Sequence, residues 1–174
     1  MRVNGGIRMF INVELQVGNK LIRGDVRLPG GKGPFPTVCF YHGFCVDRIG
    51  LMRLHELFAR KCAENGIACV KFDFYGCGES DGDFSEMRYE DEIEQARAIY
   101  LWAKGAVMWA PGNVAYYDIS SRVHAVPSKY EDAYDIGGLM MSSEFLSQIR
   151  KIDIVRRAMG YENPVLIIHG EMDE

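Results

Sequence analysis

One pentapeptide in this 174-residue chain has the spacing of a serine nucleophile: Gly78-Glu79-Ser80-Asp81-Gly82 fits G-x-S-x-G. A serine hydroxyl on a sharp strand-to-helix turn can attack an acyl carbon when a neighbouring base takes its proton, and is a weak nucleophile otherwise. The surroundings of Ser80 do not suit that use. Tyr75-Gly76-Cys77 separates the preceding apolar run from the pentapeptide, and Asp83-Phe84-Ser85 intervenes before any helical pattern. The segment therefore reads as a structural loop, with Ser80 kept only as an alternative nucleophile. His42 and His169 each stand directly before a glycine and are expected to shape the backbone rather than act as bases. His55 lies in a helical pattern far from any strand end and is expected at the surface. His124 falls in an irregular stretch. Cys45 or Cys77 could serve as a nucleophile, but neither has a visible histidine partner, so packing is the expected role.

The elements that must position these residues follow from periodicity. Ile11, Val13, Leu15 and Val17 alternate with polar residues, Gly18-Asn19 intervenes, and Ile22, Gly24, Val26 and Leu28 alternate again, which predicts a β-hairpin with one buried face. Val38-Cys39-Phe40-Tyr41 is a continuous apolar run, the mark of a strand covered on both faces. Leu51, Leu54, Phe58 and Cys62 recur at helical spacing up to the stop at Asn65-Gly66. A strand over 68–74 follows. Next comes a helix over 90–104 with Ile93, Ala96, Tyr100 and Ala103 inward, then an apolar strand over 105–110. Residues 116–138 read as irregular and aromatic, 139–158 as helical, and Val165-Leu166-Ile167-Ile168 as a last buried strand. This alternation predicts an α/β fold, a doubly wound and mainly parallel sheet, with its chemistry at the carboxyl ends of the strands.

Length and composition narrow the classes. A chain of 174 residues fits a single domain, 1–174, and can bury roughly 70% of its unfolded surface. A hydrophobic content of 48% with 25% charged residues is ordinary for a soluble globular protein. The net charge is −4 and the 20 Lys+Arg residues form no basic run, so no nucleic-acid partner is expected. The amino terminus has no sustained apolar stretch, which argues against a signal peptide or membrane partner. Five cysteines without a C-x-x-C pair argue against a disulfide framework or a metal site and suit a cytoplasmic location. No cofactor is expected.

Four strand-end motifs carry a resemblance: His42-Gly43-Phe44; the run from Phe72 to Gly82; Ala110-Pro111-Gly112; and Leu166-Ile167-Ile168-His169-Gly170-Glu171-Met172-Asp173. In this order they resemble the α/β-hydrolase superfamily and, within it, are similar to bacterial cinnamoyl or feruloyl esterases. The resemblance implies a serine hydrolase acting on small-molecule carboxylic esters. It implies that Phe44 gives the backbone N–H of the oxyanion hole, a donor worth roughly 3–4 kcal/mol of barrier, and that Asp173 is the triad acid. It also implies that 116–138 is a lid insertion, with Tyr116, Tyr130 and Tyr134 facing an aromatic acyl group; ordinary packing of a long loop is the competing reading.

The same resemblance exposes a gap. Leu101-Trp102-Ala103-Lys104 runs straight into Gly105-Ala106-Val107-Met108, where the family has a further strand, the nucleophile elbow and a helix, on the order of 30 residues. The family's catalytic histidine would follow Asp173, and only Glu174 does. The fold is thus expected to be incomplete and catalytically incompetent. The strands ending at Tyr41 and Ala110 must then pair directly, with no crossover left to join them, or leave open edges through which the chain could self-associate. A non-catalytic small-molecule binder of the same fold, or an active hydrolase using Ser80, are the alternatives.

Overall fold

The amino-terminal hairpin begins as its alternation predicts. A computed structural model describes residues 9–103, 107–108, 132–136 and 138–151. Within them β1 (Met9–Val17) and β2 (Lys20–Leu28) pair antiparallel, turning at Gly18 with φ 57°. The hairpin does not stand apart. Strand β2 continues into the main sheet by pairing antiparallel with β4 (Ala68–Phe72). Gly24 permits this join, because a Cβ there would run into the Lys71 carbonyl and the Phe72 ring.

Strand β3 (Thr37–Tyr41), helix α1 (Leu54–Glu64) and β4 form a β-α-β unit, and β3 lies parallel to β4. Helix α2 (Tyr89–Ala103) then carries the chain past β3 to β5 (Val107–Met108), which pairs parallel with β3 through Phe40↔Val107 and Tyr41↔Met108. The described strands form a mixed five-stranded sheet ordered β1-β2-β4-β3-β5. The strand on the far side of the gap thus pairs directly with β3. The expectation that no crossover would remain is corrected: α2 is that crossover.

Alternate side chains of β3 and β4 feed two cores. Cys39, Val70 and Phe72 join Val17, Ile22, Val26 and Ile99 under α2. Phe40 and Cys69 pack on the other face against Ala59 and Cys62 of α1. The two helices therefore lie on opposite faces, the doubly wound arrangement. Burying a side chain such as Ile99 contributes about 1.5–3 kcal/mol.

Both helices turn some of the residues their apolar spacing selects inward, Phe58 and Cys62 in α1 and Ala96 and Ala103 in α2, but bury others beside them. In α1 the buried residues include His55, Glu56, Ala59 and Cys62, while Leu51 and Leu54 are exposed. In α2 Gln95 and Ile99 are buried, while Ile93 and Tyr100 point outward. Buried polar partners decide this. Glu56 accepts a hydrogen bond from Lys71 Nζ at 3.0 Å, and Gln95 Oε1 accepts one from the Tyr75 N–H at 2.9 Å. Neither buried group can turn outward without stranding its partner.

A second small sheet follows. Strands β6 (Ala133–Ile136) and β7 (Leu139–Ser142) form an antiparallel hairpin, and helix α3 (Ser143–Lys151) continues from it. Leu139–Ser142 is therefore strand where the periodicity read helix, and 133–136 is strand inside the interval read as irregular. The turn at Gly138, with φ 96° and its N–H donated to Asp135 Oδ1 at 2.6 Å, sets the hairpin. The residues of the final predicted strand, with Tyr116, Tyr130 and Asp173, lie outside the described residues.

Candidate functional site

Tyr41 and Phe72 are register partners in parallel strands, so the loops after β3 and β4 leave the same edge of the sheet. Met108 of β5 reaches that edge beside Tyr41. His42 joins the first two loops. Its Nε2 accepts the Phe74 N–H at 3.0 Å, which leaves the proton on Nδ1, where it is donated to the Gly43 carbonyl at 2.9 Å. Burial pushes the imidazole below its ordinary pKa, and with both nitrogens engaged His42 ties the backbone together.

His55 is buried, which corrects the surface placement read from its helical pattern. Its ring lies 4.5 Å from that of Phe40, its Nδ1 is 3.1 Å from the Asp47 carbonyl, and burial lowers its pKa. Its position beneath Gly50 explains the difference: a Cβ at Gly50 would collide with the imidazole, so the turn before α1 wraps directly over the ring.

Asp73, fully buried just past β4, organises the glycine-rich loop. Its Oδ1 accepts the Arg48 N–H at 2.7 Å and its Oδ2 the Glu79 N–H at 3.0 Å, while the Arg48 guanidinium pairs with Asp73, Glu79 and Asp25. Gly78, at φ 53°, leaves the room that the Asp73 carboxylate occupies. Ser80 belongs to this brace. Its hydroxyl donates to the Asp73 carbonyl at 2.6 Å and accepts the Arg23 N–H at 2.9 Å. The ion pairs extend below the loop. Asp25 and Lys71 are register partners across β2 and β4, and Lys71 also reaches Glu56. Burial raises the pKa of Asp25 against the pull of Lys71 and Arg48. Burial would also raise Glu56, but hydrogen bonds from Arg60, Lys71 and Arg27 outweigh it and bring the carboxyl to about 2.

A cleft of about 200 Å³ opens between these loops. Cys45, Val46 and Asp47, directly after Phe44, form one wall, Gly76-Cys77-Gly78 another, and Phe84 and Leu139 close it. Asp47 stiffens the first wall by accepting the Ile49 and Gly50 N–H groups, each at 2.8 Å. Behind the cleft the Phe44 ring stacks on Phe145 at 5.5 Å and leans on Phe84 at 5.4 Å. Cys77, Met87, Met141 and Ile149 complete this cluster, and Tyr134 packs against it. Burial, with Glu92 adding to it, pushes the Cys77 thiol up to about 12, which keeps it protonated and unreactive. Of the residues singled out in the sequence, Phe44 and Tyr134 are brought together here, whereas Ser80 is held in the neighbouring brace. The Arg48–Asp25–Lys71–Glu56 network was not singled out. Its signal was Lys71, the single charge inside the otherwise apolar run Ala68–Phe72.

Two helices on opposite faces of a sheet whose β3, β4 and β5 are parallel, with glycine-containing loops at one strand edge, make a doubly wound α/β fold, the architecture on which α/β-hydrolases are built. Residues 18–125 match the family described as X-Pro dipeptidyl-peptidase (S15 family), and the chain belongs to that family. Two Escherichia coli proteins, each described as an uncharacterized 31.7 kDa protein in the traX-finO intergenic region, are 33% identical over 78 residues. That match covers 45% of this chain and 26% of each relative's length. The fold is similar to Est1E from Butyrivibrio proteoclasticus, solved with ferulic acid bound, with a TM-score of 0.65 at 16% identity over 80% of this chain and 71% of that one. A Pyrococcus furiosus esterase gives a TM-score of 0.50 at 21% identity, covering 69% of this chain and 50% of its own.

Proposed function

We propose that this chain comes from a carboxylic-ester hydrolase lineage, keeps the oxyanion side of the site, and does not itself turn over esters through Ser80. The observation that carries this reading is the commitment of the Ser80 hydroxyl to two main-chain partners, the Asp73 carbonyl and the Arg23 N–H. A nucleophile must hand its proton to a base, and here the proton is spent on a carbonyl. The Phe44 amide is assigned to the oxyanion, Asp173 to the triad acid, and Tyr116, Tyr130 and Tyr134 to the lid over the acyl group. Ester and amide hydrolysis pass through the same tetrahedral oxyanion, so the S15 relationship suits either bond. The small cleft backed by Phe44, Phe84 and Phe145 favours a compact aryl or acyl ester.

A second reading, a non-catalytic binder, draws support from the same observation, since a cleft without a nucleophile can still hold a ligand. A fluorophosphonate probe, p-nitrophenyl acetate turnover and ferulate binding distinguish the possibilities. We expect no labelling, and turnover no faster than in Ser80→Ala. Saturable ferulate binding without turnover identifies the binder. Turnover that disappears in Ser80→Ala would overturn both readings and assign the nucleophile to Ser80.

A further inference from the structure

Strand β1 ends the sheet: one side of its backbone pairs with β2, and the other has no strand beside it among the described residues. The hairpin fixes which groups face outward. Gly18-Asn19 is a two-residue loop closed by the pair Val17↔Lys20, so Val17 and every second residue before it bond to β2. Phe10, Asn12, Glu14 and Gln16 therefore aim their N–H and C=O groups away from the sheet. Proteins usually guard such an edge with proline, lysine, a bulge or an inward-pointing charge. Strand β1 has none of these. Its nine residues, MFINVELQV, include neither proline nor lysine, and the register with β2 runs from Met9↔Leu28 to Val17↔Lys20 without a skip. Its single charge, Glu14, lies on the face away from the α2 core and pairs with Arg23.

The side chains select the strand that fits. On the α2 face Val13, Leu15 and Val17 pack with the core of Ile22, Val26 and Ile99, while Met9 is 51% and Ile11 36% exposed. Half of the strand is covered and half is bare. A second β1, turned antiparallel about Val13, sets Met9 against Val17 and Ile11 against Leu15. The bare half of each copy then lies beside the covered half of the other. On the opposite face Phe10, 48% exposed, meets Gln16, and Asn12 meets Glu14. Every residue of the strand finds an opposite number. Centring the pair on Glu14 would oppose like charges, and centring it on Asn12 would leave Gln16 and Val17 beyond the other copy's strand.

We propose that β1 pairs antiparallel with β1 of a second copy of this chain, about a two-fold axis through Val13, joining two sheets into one. The outward groups of Asn12 exchange hydrogen bonds with those of Glu14 across the axis, and those of Phe10 with those of Gln16. The same patch serves both molecules, so the contact closes at a dimer.

Sedimentation velocity across a wide concentration range is expected to show a mass that rises and levels at dimer. Asn12→Pro removes an N–H that faces away from β2, so the far-ultraviolet circular dichroism should stay unchanged while dimerisation weakens roughly tenfold or more. Asn12→Lys, set opposite Glu14, should tighten the dimer roughly threefold, and Asn12→Asp should loosen it by a similar factor. Added cysteines read the register when the protein is treated with oxidised glutathione. Val13→Cys brings the two new thiols into one non-hydrogen-bonded pair, with Cα atoms about 4.5 Å apart, and should give a covalent dimer. Ile11→Cys sits about 13 Å along the strand from its copy and should cross-link no more than the parent chain with its own five cysteines. A monomer at every concentration, a dimer indifferent to Asn12→Pro, or cross-linking as strong in Ile11→Cys as in Val13→Cys would overturn the proposal.

Discussion

At Arg48 one guanidinium holds three carboxylates, two of them buried, and its own N–H binds one of these again. Removing it would leave Asp25 and Asp73 as buried charges with too few partners. Arg48→Met is therefore expected to cost about 3–5 kcal/mol in urea denaturation. A loss below about 1 kcal/mol would mean that water reaches the cluster and screens it. This network also marks where reading the sequence stops. The motif His42-Gly43-Phe44 was legible because its residues are contiguous and follow an apolar strand. Arg48, Asp25, Glu56, Lys71, Asp73 and Glu79 come from six separate positions, and only the fold makes them neighbours.

Among the elements, the hairpin β6–β7 and helix α3 reach the edge that carries the cleft in part through Phe145, which is buried against Phe44 and lies 6.1 Å from Tyr89. Phe145→Ala is expected to destabilise the chain by about 3–5 kcal/mol if this unit unfolds with the sheet. If it opens separately, hydrogen exchange will show the amides of β7 and α3 losing protection while those of β3 and β4 keep theirs. Periodicity located β1 to β4 and both long helices, since each has a run long enough to establish its period. It misread Leu139–Ser142, because a short apolar run fits strand and helix equally and the register with Ala133–Ile136 decides. It found only part of the inner faces of α1 and α2, Phe58, Cys62, Ala96 and Ala103, because Glu56 and Gln95 are drawn inward by partners elsewhere in the chain.

For the whole molecule, two carboxyls shape stability against pH in separate windows. Burial lifts Glu92 to about 8, above its ordinary 4.5, so it is neutral in the fold where the unfolded chain is ionised. Its contribution is complete below about 4.5 and is lost as pH rises towards 8. Glu56, brought down to about 2, acts in the opposite sense: its contribution is present above 4.5 and is lost as pH falls. Urea midpoints should therefore decline from about pH 4.5 to pH 8, and Glu92→Gln should flatten that decline. A slope unchanged in Glu92→Gln would show that the carboxyl is hydrated and titrates normally.

The five cysteines give the fold a built-in clock. Cys45 is half-buried at the cleft, Cys62 and Cys77 lie at the margins of their clusters, and Cys39 on β3 and Cys69 on β4 are fully enclosed on opposite faces of the sheet. None is in a disulfide, so each thiol becomes modifiable only when its surroundings open. Pulse alkylation followed by mass spectrometry should tag Cys45 within the first pulses, Cys62 and Cys77 through partial openings, and Cys39 and Cys69 only at the rate of global unfolding. Simultaneous tagging of all five would mean that the sheet, both helices and the aromatic cluster come apart as a single cooperative unit.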